Sequence, residues 1–313
     1  MMYINTLNNY LKERYGCKLY KISLDGGMTC PNRDGKISTG GCIFCSKGGS
    51  GDFAQKHSEN VIQQIEKGMR QVEGKYSSGN FIAYFQSYTN TYGDIDYLRN
   101  IFMQALSHPQ VKILSIATRP DCINEEIGQL LGELNKIKPV WIELGLQTSN
   151  EESAKYINRG YENNVYKRAI DIIRRYDNRE NMMQASIEII THMIIGLPNE
   201  TIRDMIYTVR YINESNVQGI KFQLLHVLKE TRLAEIYLTE GFKIYSLGEY
   251  IDILFRLIEE LRENVVIHRM TGDGPKNILI EPLWTGNKKK VLNTINKEMV
   301  NRNLVQGSRF YRH

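Results

Sequence analysis

No apolar run in this sequence reaches the length needed to cross a bilayer. The opening stretch, MMYINTLNNYLKERYG, is polar and lacks the apolar core of a signal peptide. Long linkers, low-complexity tracts and repeats of solenoid period are also missing. Cysteine is scarce, with five in 313 residues, an odd number. An odd and clustered set does not make a secreted disulfide framework. It suits a reducing cytoplasm and a metal centre, so a cytoplasmic location is expected. What remains is ordinarily globular: 42% hydrophobic and 24% charged, with length enough for one large core. The net charge of +5 permits a polyanionic partner without demanding one. Basic patches at Lys288, Lys289 and Lys290 and at Arg174 and Arg175 read first as solvated helix faces.

Three of the five cysteines, Cys30, Cys42 and Cys45, fall inside sixteen residues. Eleven residues separate the first pair and two separate the second. A Cys-x-x-Cys turn lets two thiolates converge on one centre, and a third can join from the preceding loop. Structural zinc wants a closed set of four ligands, and a four-iron cluster normally takes four cysteines. Three thiolates leave one coordination position open to a small molecule. A zinc knuckle, or three unrelated buried thiols, are the plainer accounts of the same residues.

Along the chain, short β-type runs alternate with helical patterns. Strands are expected at Lys18–Leu24, Phe81–Gln86, Lys112–Thr118, Val140–Leu146, Ser186–Ile195 and Gly219–Leu225. Helical patterns follow five of them, one capped by Asp94. Six βα units in a row argue for parallel strands with right-handed crossovers. Six is short of the eight of a closed TIM barrel. The expected fold is therefore α/β: an incomplete (βα)6 TIM-type barrel over residues 1–228, with a C-terminal α/β cap over 229–313. The cap is expected to hold helices over Thr231–Glu240, Ser246–Asn264 and Lys288–Glu298 and one more short strand near Val265–His268. Functional residues should sit in the loops at the carboxyl ends of the strands. The polar, Gly and Pro punctuation falls there in every unit: the cysteine loop, Gln86 and Ser87, Thr118 to Pro120, Gln147 and Thr148, Gly196 to Pro198, Leu225 and His226.

The three cysteines after a first strand, Phe44 inside the Cys-x-x-Cys and the Gly-rich run behind it resemble a radical S-adenosylmethionine (SAM) enzyme. The wide spacing is that of the branch containing the catalytic subunit of Elongator and the oxygen-independent coproporphyrinogen oxidases. The resemblance implies a [4Fe-4S] cluster on Cys30, Cys42 and Cys45, with SAM on the open iron. It also distributes further roles. Phe44 and Gln86 line the cofactor site. Gln147, in LGLQTS, reaches the SAM ribose, with Thr148 where relatives have Ser. Arg159, in NRGY, pairs with the SAM carboxylate, with Tyr161 where relatives have His. His192, Ile194 and Gly196, in HMIIGLP, line the adenine pocket. In TRPDC, Arg119 contacts SAM or a substrate phosphate, and Cys122 is the candidate catalytic thiol, able to donate a hydrogen atom to a substrate radical. Arg269 and Asp273 are candidate substrate contacts. Without the resemblance, each of these is an ordinary buried or turn residue.

The segments LDGGMTCPNRDG, LLHVLKETRLAEIY and TGDGPKNILIEPLW narrow the resemblance to the YhcC/YtqA type, from Tyr15 to about Lys297. Met28 and Glu281 depart from its usual Phe and Ala. The YtqA branch implies tRNA wobble-uridine (U34) modification, 5-carboxymethylaminomethyluridine becoming 5-aminomethyluridine. The implied partners are a tRNA anticodon loop, an electron donor such as flavodoxin or ferredoxin, and a tRNA methyltransferase acting afterwards. Nothing in the sequence resembles a separate tRNA-binding or acetyltransferase domain. Two alternatives stay open: a radical SAM oxidoreductase on a small molecule, and a non-catalytic metal-containing RNA-binding protein.

Overall fold

In the computed structural model the described residues are 4–310, other than 50, 52, 53, 56, 59, 74–78, 178–185 and 273. Helix α1 (Leu7–Tyr15) leads into β1 (Tyr20–Leu24), α2 (Val61–Val72), β2 (Phe81–Phe85), α3 (Ile95–Ser107) and β3 (Val111–Thr118). Then come α4 (Glu125–Asn135), β4 (Val140–Gln147), the short α5 (Glu151–Tyr156), α6 (Asn163–Arg175), β5 (Glu188–Ile195), α7 (Ile202–Glu214) and β6 (Gly219–Leu224). The C-terminal part holds β7 (Val227–Leu228), α8 (Arg232–Thr239), α9 (Leu247–Glu260), β8 (Val266–Arg269), β9 (Leu279–Glu281) and α10 (Lys288–Asn301). Helix starts follow the local chemistry. Asp94 accepts from the backbone N–H of Asp96 and Tyr97, and Asn124 from that of Ile127. Ser246 and Glu249 form a capping box.

The strands form a curled, parallel half-barrel in the order β1-β2-β3-β4-β5-β6-β8. All six expected strands are there, and the sheet has a seventh. The short strand assigned to the cap is β8, which pairs in parallel with β6 through Gly219↔Val266, Ile220↔Ile267 and Lys221↔Arg269. Val266 and Ile267 are apolar and buried, so burying them against the sheet favours adding the strand to its edge. The other edge of β8 meets the N-terminal segment, where Thr6 bridges Ile267. A separate antiparallel pair joins β7 to β9.

Side chains alternate along each strand, so one set faces the helices and the other faces the barrel interior. The helix-facing set forms the main core with α2, α3, α4, α6, α7 and α9. The interior set is layered. The lowest layer is apolar: Leu19, Ile82, Ile113, Trp141 and Ile190 pack with Leu11 of α1. That helix plugs the amino-terminal end of the barrel. One step up each strand the layer turns polar, with Lys21, Tyr84, Ser115, Glu143, His192 and Lys221. A cavity of about 250 Å³ opens above it toward the carboxyl ends of the strands.

Candidate functional site

The cysteine loop after β1 is held by backbone hydrogen bonds rather than by its own regular structure. Ile43 N–H donates to the Ile157 carbonyl (3.1 Å), and the Ile43 carbonyl accepts from Leu233 N–H (2.9 Å). Buried Asn32 donates to the Asn158 carbonyl (2.7 Å), and Asn158 returns a bond to Gly41 (2.7 Å). Arg33 caps the Cys-x-x-Cys turn, donating to the carbonyls of Cys45 (3.0 Å) and Ser46 (2.5 Å). This frame turns Cys30, Cys42 and Cys45 onto one cavity. The hydrogen bond from Cys45 lowers the Cys42 thiol to about 7, against its burial, with Arg119 adding to the effect. Asn32 also points its amide at Cys42 Sγ (3.7 Å). Among the described residues, no three Cys, His, Asp or Glu side chains are packed as around a single ion. In an iron–sulfur cluster each thiolate goes to a different iron, which spreads the ligands.

Phe44, Gln86, Arg119, Gln147, Arg159, His192 and Ile194 line the same cavity as the thiols. Gln147 takes a positive φ of 68°, at a register shift where β4 leaves β5. Such backbone costs energy for a residue with a Cβ and concentrates at functional sites. Gly145 makes room for it, since a Cβ there would lie 2.8 Å from Gln147 Nε2. Arg119 is paired two-point with Asp121 (2.9 and 2.7 Å). Burial opposes its charge, but Asp121 more than restores it, so the guanidinium stays protonated.

Three expectations meet a different geometry. Arg159 is 1% exposed and all five of its N–H donors are spent. They go to the carbonyls of Tyr161, Leu146 and Thr148, to Glu151 and to Asn163, at 2.7 to 3.2 Å. No fork is left for a SAM carboxylate; the side chain clasps the β4–α6 connection instead. Gly196, with φ 92°, does not line the cavity. The space where its Cβ would be faces Tyr245 of the cap at 3.3 Å, so the glycine serves cap packing. Cys122 does not line the cavity either, and its Sγ lies 3.9 Å from Asp121 Oδ1. Burial, with Asp121 beside it, pushes that thiol up. Arg269 lines the cavity; Asp273 lies outside the described residues.

The part of the site missed from the sequence is the charged interior layer. Glu143, fully buried on β4, accepts from Lys21 (2.8 Å), Ser115 (2.9 Å), His192 Nε2 (2.8 Å) and Lys221. Burial alone would raise its carboxyl, but Lys21 and Lys221 hold it well below the usual range. Lys221 also donates to Tyr84 Oη (3.2 Å). Burial, helped by Lys221, lowers His192 to about 4. The ring is therefore neutral, with Nε2 donating to Glu143 and Nδ1 accepting from Gln223 (3.1 Å). The available signal was a lone charge inside an apolar strand, in VWIELGL and again in GIKFQLL. A buried charge needs a partner.

The Radical SAM superfamily model matches residues 34–212, more than half of the chain. The chain belongs to the radical SAM superfamily. A Radical_SAM C-terminal domain model matches 217–301 of this radical SAM protein. It is 40% identical to YtqA of Bacillus subtilis (strain 168), over 98% of this chain and 93% of that one. It is 32% identical to YhcC of Escherichia coli (strain K12), over 97% and 94%. Its fold resembles the archaeal Methanocaldococcus infernus Elp3 lacking residues 1–46, with a TM-score of 0.67 at 16% identity, covering 91% of this chain and 63% of that one. Family membership implies a four-iron cluster and SAM. The donor set fits: three thiols on one cavity, and no fourth cysteine among its described lining. Cys30, Cys42 and Cys45 would hold the cluster, which with SAM supplies a 5′-deoxyadenosyl radical for hydrogen-atom abstraction.

Proposed function

We propose that this radical SAM enzyme modifies tRNA at the wobble uridine, converting 5-carboxymethylaminomethyluridine to 5-aminomethyluridine. The observation that carries the proposal is the shared cavity. Three thiols line it together with Glu143, Lys221 and Arg269, which come from β4, β6 and β8. A nucleobase with a zwitterionic substituent needs both, one to react and one to be held. Anticodon bases are unstacked and can be splayed into such a pocket. Further support comes from Elongator complex protein 3 of Schizosaccharomyces pombe, 22% identical over 90% of this chain and 59% of that one. Lys289, Lys290 and Lys297 on exposed α10 positions offer charge for an RNA backbone.

The protein's own residues have definable tasks in this scheme. Gln147 and Gln86 would orient the cofactor ribose. Ile194 and Phe44 would wall off water. A flavodoxin or ferredoxin would deliver the electron, and a tRNA methyltransferase would take the product. Mass spectrometry of tRNA from a deletion strain tests the scheme. Accumulation of the carboxymethylaminomethyl nucleoside with loss of the aminomethyl one is expected; an unchanged wobble profile would refute it.

A further inference from the structure

We infer that Gln223 is the residue that tells uridine from cytidine in the cavity, and that buried Glu143 and His192 hold its amide in the one orientation that makes the distinction. The inference rests on the wobble-uridine reading and deepens it, because either pyrimidine ring can carry the same substituent on C5.

Position is the first support. Gln223 follows Lys221 by two residues on β6, so both point into the barrel and Gln223 stands one layer nearer the strand ends. It is half-buried and lines the same cavity as the three thiols. Its register partner on β5 is Ile194, which gives a flat ring an apolar face beside the amide.

A chain of hydrogen bonds is the second. Against its burial, Glu143 is kept ionised by Lys21 and Lys221, so it only accepts. The ring nitrogen facing it, His192 Nε2 at 2.8 Å, therefore carries hydrogen. Burial disfavours charge on His192, and two lysines already outnumber the one carboxylate, so the ring stays neutral and Nδ1 is bare. A bare Nδ1 takes the amide N–H of Gln223 at 3.1 Å and repels its carbonyl. The carbonyl is thereby turned away from His192 and makes no hydrogen bond among the described residues. With the second N–H it offers an acceptor and a donor, side by side and in fixed order. Uracil presents an acceptor at position 4 and a donor at N3; cytosine presents the reverse. An amide free to turn over satisfies both rings. An anchored one satisfies one ring and sets like groups against the other, which leaves them unpaired. SAM has no rival with a reversed edge to be refused, so the anchoring points to the substrate base.

The test uses the cluster-loaded full chain under anaerobiosis. Its probes are anticodon stem-loops carrying the carboxymethylaminomethyl group on uridine, on 3-methyluridine or on cytidine at the wobble position. Fluorescence anisotropy reads binding and mass spectrometry reads turnover. The wild type should prefer the uridine stem-loop to the other two by about 10- to 100-fold in Kd, the range for one two-point contact to a base edge. Gln223→Met should erase that preference while keeping its melting temperature and its affinity for SAM. His192→Phe frees the amide, and should narrow the preference from the other side by tightening cytidine binding; a merely structural histidine would tighten nothing. Equal binding of the three stem-loops by the wild type would overturn the inference. So would a preference that survives in folded Gln223→Met, or SAM affinity lost with that variant. A uridine preference lodged in Gln223 with no aminomethyl product sinks the wobble reaction and leaves the inference standing. Conversion of the uridine and cytidine stem-loops at equal rates does the reverse.

Discussion

Glu143 and Lys221 meet across the barrel interior, from β4 to β6, with His192 of the intervening β5 bonded to the same carboxylate oxygen. The pair is fully buried, so neither partner is stable there without the other. Glu143→Gln leaves Lys21 and Lys221 uncompensated, and should cost about 3–5 kcal/mol of unfolding free energy. Denaturant unfolding checks this. Adding Lys221→Met to Glu143→Gln should recover part of the loss, and a double variant no better than the single would contradict the pairing.

Iron content separates the five cysteines. Alanine at Cys30, Cys42 or Cys45 should remove most cluster iron and sulfide after anaerobic reconstitution. Alanine at Cys17 or Cys122 should leave both unchanged, because neither thiol lines the cavity. Chemical iron and sulfide analysis gives the answer. Loss of the cluster in Cys122→Ala would mean a fourth protein ligand.

Arg159→Lys should act chiefly on stability. A lysine has three donors where the clasp uses five. The expected cost is on the order of 3 kcal/mol, since the orphaned acceptors include buried carbonyls. Thermal unfolding and SAM affinity should be measured together. An unchanged melting temperature with weakened SAM binding would return Arg159 to the carboxylate role.

Glu200 sets a pH signature. It is buried between β5 and α7, accepts from Thr148, and burial raises its carboxyl to about 7. The folded state then holds a proton that the unfolded chain has released between pH 4.5 and 7. Its stabilising contribution is complete below about 4.5 and is lost as pH rises through 7, by about 3 kcal/mol in all. Glu200→Gln removes that slope. The variant should therefore outlast the wild type at pH 8 and lose the advantage near pH 5. His192 has the opposite sign: its lowered value makes stability fall as pH drops from 6.5 toward 4. Parallel curves for wild type and Glu200→Gln would show that Glu200 does not titrate as described.

The six central strands were legible because apolar β-runs repeat at regular spacing, and helix starts were legible at Asp94 and Asn124 because caps are local chemistry. The cysteines, Gln86 and Gln147 were found at strand ends, where a parallel sheet places its site, and His192 and Ile194 on the inward face of β5 below them. Helix α1 was missed because Leu11 is its one buried residue, too little for a periodic pattern. The contact of Lys221 with Glu143 spans 78 positions, and no local pattern encodes such a pairing. Arg159 misled because a motif names a residue but not its hydrogen bonds. The seventh strand was recognised as a short β-run, but its edge of attachment depends on the curl of the whole sheet.

Because β8 arrives from far downstream, the polypeptide laces its own open flank shut. A shortened version stopping at Leu228 would bare the ladder groups of β6 and lose Arg269 with them. Raw strand flanks recruit other copies of themselves. Such a fragment should precipitate rather than behave as a trimmed enzyme, so split or fused versions need their joints elsewhere.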